Sequence, residues 1–355
     1  MAKIENQAIP IENTHFFTDF YQRLNDVGFG SKQSVRRDLL PDWWCDEFEQ
    51  RPGAIIEASA YVSRRTGITF EALMESGRSL ALAEGSKLCY KLRQGTEESS
   101  LAIARALGEQ VAKLVAYACP TELQSVEGVS AGTIRTEILS SGCADSCGVT
   151  LKNLLRFCWQ RGVPVVHLSN LPSGNGKKKF DGMVGKFNAR PVIAIGSGRQ
   201  SPAWLAFILA HELGHIVAGH VAEGTSIVDE NINPEDGEDE QELVADRFAV
   251  ELIYGRAEAA YRFLGQPTSN KIAEFAVQAG ARDHIHPASV ALNYAWLMGR
   301  EGKNVWGLVN KLLKQFEKNT PTAQEIIGRH LKSQLDWETL SDDNCEFLER
   351  IASLA

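Results

Sequence analysis

The chain has 355 residues, 44% of them hydrophobic and 23% charged, so it is long enough for two or three domains with separate cores. No stretch reaches the roughly 18 apolar residues that a membrane-spanning helix needs, so no membrane partner is predicted. The net charge of −8 is local, because residues 221–246 contain ten acidic residues and no Lys or Arg. The rest of the chain is nearly balanced, and a generally basic nucleic-acid-binding protein is not indicated.

Cysteine usage and the N-terminal segment bear on the cellular compartment. The seven cysteines are an odd number without a regular spacing, which is typical of free thiols in a reducing environment. The N-terminal sequence MAKIENQAIPIENTHF lacks the continuous apolar region of a secretory signal. We therefore expect a cytoplasmic protein.

Residues 1–85 are predicted to be helical, and their second half has a helix, a turn at Gly67 and a second helix. This pattern is similar to a helix-turn-helix DNA-binding module, in which Arg64 and Arg65 would contact phosphates. A helical packing module is the alternative, because the first 120 residues carry 14 basic and 16 acidic residues. DNA is thus a possible partner through this module.

Residues 86–140 are predicted to form a connecting helix and a linker. The helix begins after Gly95 and ends before Pro120, as its capping residues and apolar spacing indicate. The following stretch, residues 121–133, is rich in Ser, Gly and Thr and is the best candidate for a domain boundary.

A different pattern begins near residue 147. An amphipathic helix ends at Gly162, and three short apolar runs follow, at residues 163–168, 180–187 and 191–196. Their length and their apolar character predict three buried strands.

Residues 201–220, SPAWLAFILAHELGHIVAGH, predict one buried helix, because a Ser-Pro start precedes a run that is apolar on all sides. His211 and His215 are four residues apart and share a face, so both imidazoles can bind one ion, with Glu212 beside them. Most chance occurrences of HExxH are solvated helix faces. Here three polar groups lie in an apolar helix, which is costly unless something such as a zinc ion satisfies them.

The third zinc ligand is expected on the next helix, residues 239–254. Glu242 is the best candidate, since it follows His215 by 27 residues in an apolar context. Asp246 lies one turn later and could accept the outer N–H of a ligand histidine, or form a salt bridge on the helix surface. His220 is not expected to be a ligand, because it falls on another face of its helix.

Catalysis at such a site would use Glu212 as the general base that takes a proton from water and passes it to the leaving amine. His286 is a candidate hydrogen-bond donor to the developing oxyanion, with His284 and Tyr294 as alternatives, although a satisfied core histidine is more common. A cysteine thiolate, with Cys119 as the candidate, could also hold the open zinc position and inhibit the enzyme. Inert buried cysteine is the alternative.

The element order predicts an α+β, mostly helical protein with a zincin-like metallopeptidase core. In this core a small three-stranded sheet packs on the HExxH helix, and an edge strand can hold an extended peptide. The predicted domains are a helical, helix-turn-helix-like module at 1–85, a connecting helix and linker at 86–140, the zinc metallopeptidase core at 141–260 and a C-terminal helical region at 261–355.

At HELGH followed by ELVADRFAVELI, the sequence resembles the ImmA/IrrE family of zinc metallopeptidases, over about residues 147–255. The resemblance implies that His211, His215 and Glu242 bind Zn²⁺ and that Glu212 is the catalytic base. It also implies site-specific cleavage of a helix-turn-helix repressor or antitoxin encoded nearby, which would relieve repression in a stress, phage or mobile-element response.

Two other functions stay open at this point. The first is a DNA-binding transcriptional regulator that uses the peptidase fold as a sensor or scaffold; complete ligands together with Glu212 argue against it, since a scaffold does not need a catalytic base. The second is a metal-dependent toxin or general protease.

Overall fold

The computed structural model describes residues 12–82, 90–91, 99–141, 148–171, 180–229, 240–265 and 267–354. The α-helices in these ranges are α1 (Glu12–Val27), α2 (Lys32–Leu39), α3 (Asp46–Glu49), α4 (Ala54–Thr66), α5 (Phe70–Met74), α6 (Ser99–Tyr117), α7 (Ala131–Ser140), α8 (Leu151–Gln160), α9 (Pro202–Val217), α10 (Glu240–Tyr254), α11 (Ser269–Asp283), α12 (Pro287–Arg300), α13 (Trp306–Phe316), α14 (Ala323–Gln334) and α15 (Asp342–Ala352). The strands are β1 (Tyr90–Lys91), β2 (Val165–His167), β3 (Gly182–Phe187), β4 (Arg190–Ile195) and β5 (Ser226–Asp229). A 3₁₀ turn spans Trp337–Thr339.

The protein is α+β and mostly helical, as predicted, but the sheet is larger than expected. The three predicted strands are present as β2, β3 and β4, and β5 and the two-residue β1 extend the sheet to five strands within the described ranges. The prediction of three strands was therefore wrong in number. Strand β5 is only four residues long and lies inside the acidic segment, where its composition hid it from a search for apolar runs.

The sheet is mixed, with the strand order β1-β5-β3-β4-β2. Strand β3 is antiparallel to both of its neighbours, β4 and β5. Strand β2 is parallel to β4, and β1 is parallel to β5. The central position of β3 matters for the site, because its first residue lies beside the HExxH motif.

Two hydrophobic cores lie on opposite faces of this sheet, and the alternation of side chains along each strand fills both. Val184 and Ile193 point into the core that contains α9. Met183 and Ala194 point into the core that contains α6. The predicted connecting helix, α6, therefore packs on one face of the sheet. The predicted domain boundaries stay predictions.

The N-terminal helices and the C-terminal helix share the second core. Helix α15 contacts α2 and α6, and its Phe347 is buried with residues of α1 and α4. Helix α15 and the N-terminal helices thus pack together in the core on the α6 face of the sheet.

The expected helix, turn and second helix are present, since α4 ends at Gly67 in the left-handed conformation and the five-residue α5 follows, while a helix-turn-helix DNA-binding module stays a prediction. However, Arg65 is only 3% exposed and donates a hydrogen bond of 3.0 Å to the backbone carbonyl of Asp343 in α15. The predicted phosphate contact of Arg65 is therefore wrong, because the side chain is used in packing. Arg64 is exposed.

Among the described helices, none is both long and apolar enough to cross a membrane.

Candidate metal centre

The HExxH motif lies in the C-terminal half of α9. The sequence marks the start of this helix with a capping residue and accounts for its burial by an apolar run. The hydroxyl of Ser201 accepts the N–H of Trp204, and Pro202 occupies the first turn. Farther along, Gly214 lets α10 approach closely, since a Cβ there would lie 3.0 Å from the Cα of Ala245. This close contact between α9 and α10 brings the two predicted ligand helices together.

Four side chains converge between α9, α10 and β5. The Nε2 atoms of His211 and His215 are 3.2 Å apart. Each lies 3.4 Å from a carboxylate oxygen of Glu242. The Oδ2 atom of Asp229, at the end of β5, lies 3.6 Å from Nε2 of His211 and 3.7 Å from Nε2 of His215. The structure thus brings together the two histidines and Glu242, as expected, and adds Asp229.

These distances can be compared with those of a tetrahedral metal site. Metal–ligand bonds of about 2.0–2.1 Å separate the ligand atoms of a tetrahedron by about 3.3–3.4 Å. The ligand atoms of His211, His215, Asp229 and Glu242 lie within 4.8 Å of one another, and all four residues are buried. The donor set therefore fits a four-coordinate metal ion.

The outer nitrogens of both histidines are held as well. Nδ1 of His211 is 2.8 Å from Oδ1 of Asp246, so this nitrogen donates its proton to the carboxylate and Nε2 presents its lone pair to the cluster. Nδ1 of His215 is 2.9 Å from Nδ1 of His220. His220 therefore contacts the ligand histidine from outside the cluster, as its position on another helix face implied.

The buried charges of the cluster are consistent with a cation site. Both carboxylate oxygens of Glu212 and of Asp229 are buried without a hydrogen-bond partner in the described part of the chain. Burial and the neighbouring Asp229 carboxylate raise the pKa of Glu212. Burial would lower the pKa of His211, but the carboxylates of Asp229, Asp246 and Glu242 raise it overall. Buried carboxylates without donors are unfavourable unless a positive charge compensates them.

The Glu212 carboxylate points toward β3. A Cβ atom on Gly182, the first residue of β3, would lie 1.9 Å from Oε1 of Glu212. The absence of a side chain at Gly182 therefore gives the carboxylate its place between the metal cluster and β3. A carboxylate in this position can accept a proton from a water molecule that reacts beside the strand.

The structure does not bring His286 to the cluster. His286 is the N-cap residue of α12, and its Nδ1 accepts the N–H of Ala288 at 3.2 Å. It lines a cavity together with Pro202 and Glu317, at the N-terminal end of α9. The motif lies toward the other end of that helix.

Cys119 is also outside the cluster. It is buried beside Arg190, whose Nη1 is 3.4 Å from Sγ, and burial raises the pKa of the thiol. Arg190 begins β4, whereas Ile195, the last residue of β4, pairs with Gly182 next to Glu212. Cys119 thus lies at the far end of the strand from the metal cluster.

Asp229 was missed from the sequence, where it is one of ten acidic residues in residues 221–246. One local signal was available. Ile227 and Val228 are two β-branched residues directly before Asp229, and they favour a short strand that ends at this carboxylate.

Comparison with known families identifies part of the chain. Residues 158–278 match the family described as the IrrE N-terminal-like domain, Peptidase_M78. The matched range runs from the end of α8 into α11 and includes every residue of the metal cluster. Neither the curated proteins nor the solved structures gave a match.

Proposed function

We propose that this protein is a zinc-dependent metallo-endopeptidase, because residues 158–278 match the Peptidase_M78 family. The observation that carries the proposal is the buried cluster of His211, His215, Glu242 and Asp229 with Glu212 beside it. A domain of this family with a fitting donor set and an adjacent free carboxylate supports hydrolysis better than it supports metal storage or a scaffold. The predicted zincin-like core belongs to this proposal.

Zinc is the ion that this donor set suits best, because two imidazoles and carboxylate oxygens at tetrahedral spacing are its usual ligands in proteins. When bound, zinc would supply Lewis acidity, which polarises a peptide carbonyl and makes water a better nucleophile near neutral pH. His211, His215 and Glu242 would hold the ion, and Asp246 would keep the His211 ring in its ligating orientation.

Glu212 would then perform the proton transfers. Its carboxylate takes a proton from the attacking water as the water oxygen bonds to the carbonyl carbon, and delivers that proton to the amide nitrogen as the C–N bond breaks. The products are a carboxylic acid and an amine. Gly182 leaves the space that Glu212 needs for this role.

The proposed substrate is a regulatory protein, namely a helix-turn-helix repressor or antitoxin encoded nearby, whose cleavage would relieve repression in a stress or phage response. This proposal depends on the resemblance at HELGH and ELVADRFAVELI. The burial of the cluster is in keeping with a selective enzyme rather than a general protease, since His211, Glu212 and His215 are each at most 1% exposed.

The alternative, a DNA-binding regulator, stays a prediction. The backbone of α4, Gly67 and α5 is compatible with it. The burial of Arg65 weakens it, because one of the two expected phosphate contacts is unavailable.

The test of the proposed function is the variant Glu212→Gln. General-base catalysis is typically worth about 10²–10⁴-fold, so we expect a loss of cleavage of that size with zinc content unchanged at one ion per chain. Cleavage is measured with the helix-turn-helix protein encoded beside this gene, and zinc by metal analysis.

The matched control is Glu240→Gln, an exposed glutamate on the ligand-bearing α10, which should leave both cleavage and zinc content unchanged. Undiminished cleavage by Glu212→Gln would remove Glu212 from the mechanism. A wild-type protein that binds zinc but cleaves no candidate partner would contradict the proposed substrate.

A further inference from the structure

We propose that Asp229 is a fourth protein ligand of the metal and that β5, which carries it, closes the centre to water and peptide. Asp229 is outside the set of two histidines and Glu242 that the HExxH pattern predicts. The consequence for catalysis rests on the proposed function, whereas the assignment of the ligand requires only that the cluster binds a metal.

The position of the Asp229 carboxylate carries the assignment. Its Oδ2 lies 3.6 and 3.7 Å from the two histidine Nε2 atoms, close to the spacing of about 3.3–3.4 Å between ligands of tetrahedral zinc. The residue is 2% exposed, and neither of its carboxylate oxygens has a hydrogen-bond partner among the described residues. A buried carboxylate that accepts no hydrogen bond but faces two imidazole nitrogens is placed to bind a cation.

Strand β5 holds this carboxylate on a regular element. Asp229 pairs with Gly182 and Ser226 pairs with Gly185, so β5 lies antiparallel along the first residues of β3. The carbonyl of Asp229 accepts the N–H of Asp181 at 2.8 Å. The Ser226 hydroxyl donates a 2.6 Å hydrogen bond to Glu109 of α6, which anchors the other end of the strand.

Strand β5 occupies the position beside β3 that an extended substrate peptide would need. Extended peptides bind proteases by adding as a strand to a sheet edge. The strand nearest Glu212 is β3, because a Cβ on its Gly182 would overlap the Glu212 carboxylate, and β5 already pairs with the side of β3 that faces away from β4. In effect β5 takes the place of an antiparallel peptide, and its Asp229 would be the fourth residue to hold the metal.

The number of protein ligands separates the two kinds of zinc site. Structural sites are closed by four protein ligands, whereas catalytic sites keep one position open. With His211, His215, Glu242 and Asp229 all bound, this centre would have the closed form. Hydrolysis would then require β5 to leave β3, which frees the fourth position and the strand edge in one movement.

The experiment replaces zinc by Co²⁺ in the full-length protein and follows the visible absorption of the cobalt centre. The probe is acetohydroxamate, which binds a metal only where a position is open. We expect the wild-type spectrum to be insensitive to acetohydroxamate and the Asp229→Asn spectrum to change with saturable binding. Metal affinity should fall at least about tenfold in the variant, since even loss of an outer partner of a ligand costs that much.

The matched control is Asp181→Asn, a neighbouring acidic residue whose side chain lies 3.9 Å from Arg199, and it should behave as the wild type. Asp229→Ala serves if the asparagine variant does not fold, and it removes no side-chain hydrogen bond present in the described residues. The wild-type protein decides the question by itself: if its cobalt centre takes up acetohydroxamate as readily as the variants do, Asp229 does not close the site and the proposal is overturned.

Cleavage of β-casein, used as an unfolded test substrate, separates this inference from the proposed function. We expect Asp229→Asn to cleave casein faster than the wild type, and Glu212→Gln/Asp229→Asn to cleave none. If the cobalt spectra behave as expected but none of the proteins cleaves casein, the proposed peptidase function is contradicted and the assignment of Asp229 as a ligand is supported. Slower cleavage by Asp229→Asn than by the wild type would overturn the closing role of β5.

Discussion

At the scale of single residues, Gly182 shows how the absence of a side chain can determine where a buried carboxylate lies. Its Cα borders the Glu212 carboxylate so closely that a Cβ would overlap Oε1 at 1.9 Å. The same residue pairs with both Asp229 and Ile195 and so joins the metal cluster to the sheet. A glycine at this position is thus required by packing and not by backbone conformation.

Gly182→Ala should destabilise the protein by about 1–3 kcal/mol, the usual cost of a forced fit in a packed core. The cause is the displacement of Glu212, so the cost should largely disappear in a Glu212→Ala background. Chemical denaturation of the four proteins of this double-mutant cycle measures both values. Gly198→Ala is the control, since a Cβ there contacts nothing within 4 Å. An equal cost in both backgrounds would show that Glu212 is not the obstacle.

The sequence predicts which residues form the site where their positions depend on helix geometry. His211, Glu212 and His215 were evident from their spacing on one helix, and Glu242 from its position on the next. Asp229 was not, because its strand is short and its role depends on pairing with β3. Nothing local in the sequence encodes that pairing.

At the scale of elements, α9 was the most predictable part of the molecule. Its expected range, residues 201–220, differs from the observed Pro202–Val217 by only a few residues. Its start is marked by Ser201, and its burial by an uninterrupted apolar run. The short β1, in contrast, lies within residues 86–140, for which a connecting helix and a linker are predicted. A strand of two residues is too short to show a recognisable period in the sequence.

The N-terminus of α9 also has a cap that the sequence did not reveal. Oε1 of Glu317 accepts the N–H of Ala203 at 2.9 Å and the Ser201 hydroxyl at 3.0 Å. Burial raises the pKa of Glu317, although these two donors act in the opposite direction. The folded protein thus ionises Glu317 less readily than the unfolded chain does.

This shift predicts a pH dependence of stability with a definite sign. Because the folded state holds the proton more tightly, the contribution of Glu317 to stability is lost as pH rises from about 4 through its folded pKa. Glu317→Gln keeps an oxygen acceptor but cannot ionise. The melting temperature of the variant relative to the wild type should therefore rise between about pH 4 and pH 7, as measured by thermal unfolding at several pH values. A fall over this range would mean that the helix dipole outweighs burial.

At the scale of the whole molecule, the N-terminal helices and α15 share one hydrophobic core. Arg65 lies between Tyr61 and Phe347, with its guanidinium 5.4 and 4.9 Å from the two ring centroids, and burial lowers its pKa to about 10. Contacts between residues that are 278 positions apart are invisible to a reading of local patterns. For this reason the local pattern predicts a phosphate contact for Arg65, whereas the structure buries the side chain.

The variants Arg65→Ala and Arg64→Ala test this difference. We expect Arg65→Ala to cost about 1–3 kcal/mol of unfolding free energy, because the Asp343 carbonyl loses a buried donor and two rings lose their contact. Arg64→Ala removes an exposed side chain at the preceding position, and its unfolding free energy should stay within about 0.5 kcal/mol of that of the wild type. Equal effects of the two substitutions in urea denaturation would contradict the assigned packing role.

The mostly helical α+β class and the convergence of His211, His215 and Glu242 could thus be predicted from periodicity and spacing, whereas the tertiary partners could not. The strands β2, β3 and β4 and the helices around them follow local patterns. The packing of α15 with the N-terminal helices depends on complementary surfaces far apart in the chain.

The complete burial of the metal cluster has a kinetic consequence. His211, His215, Asp229 and Glu242 are each at most 5% exposed, so an ion can exchange with solvent only through a local opening of the protein. The lifetime of the bound ion would then be set by how often this region opens, and not by the affinity of the ligands or the strength of a competing chelator.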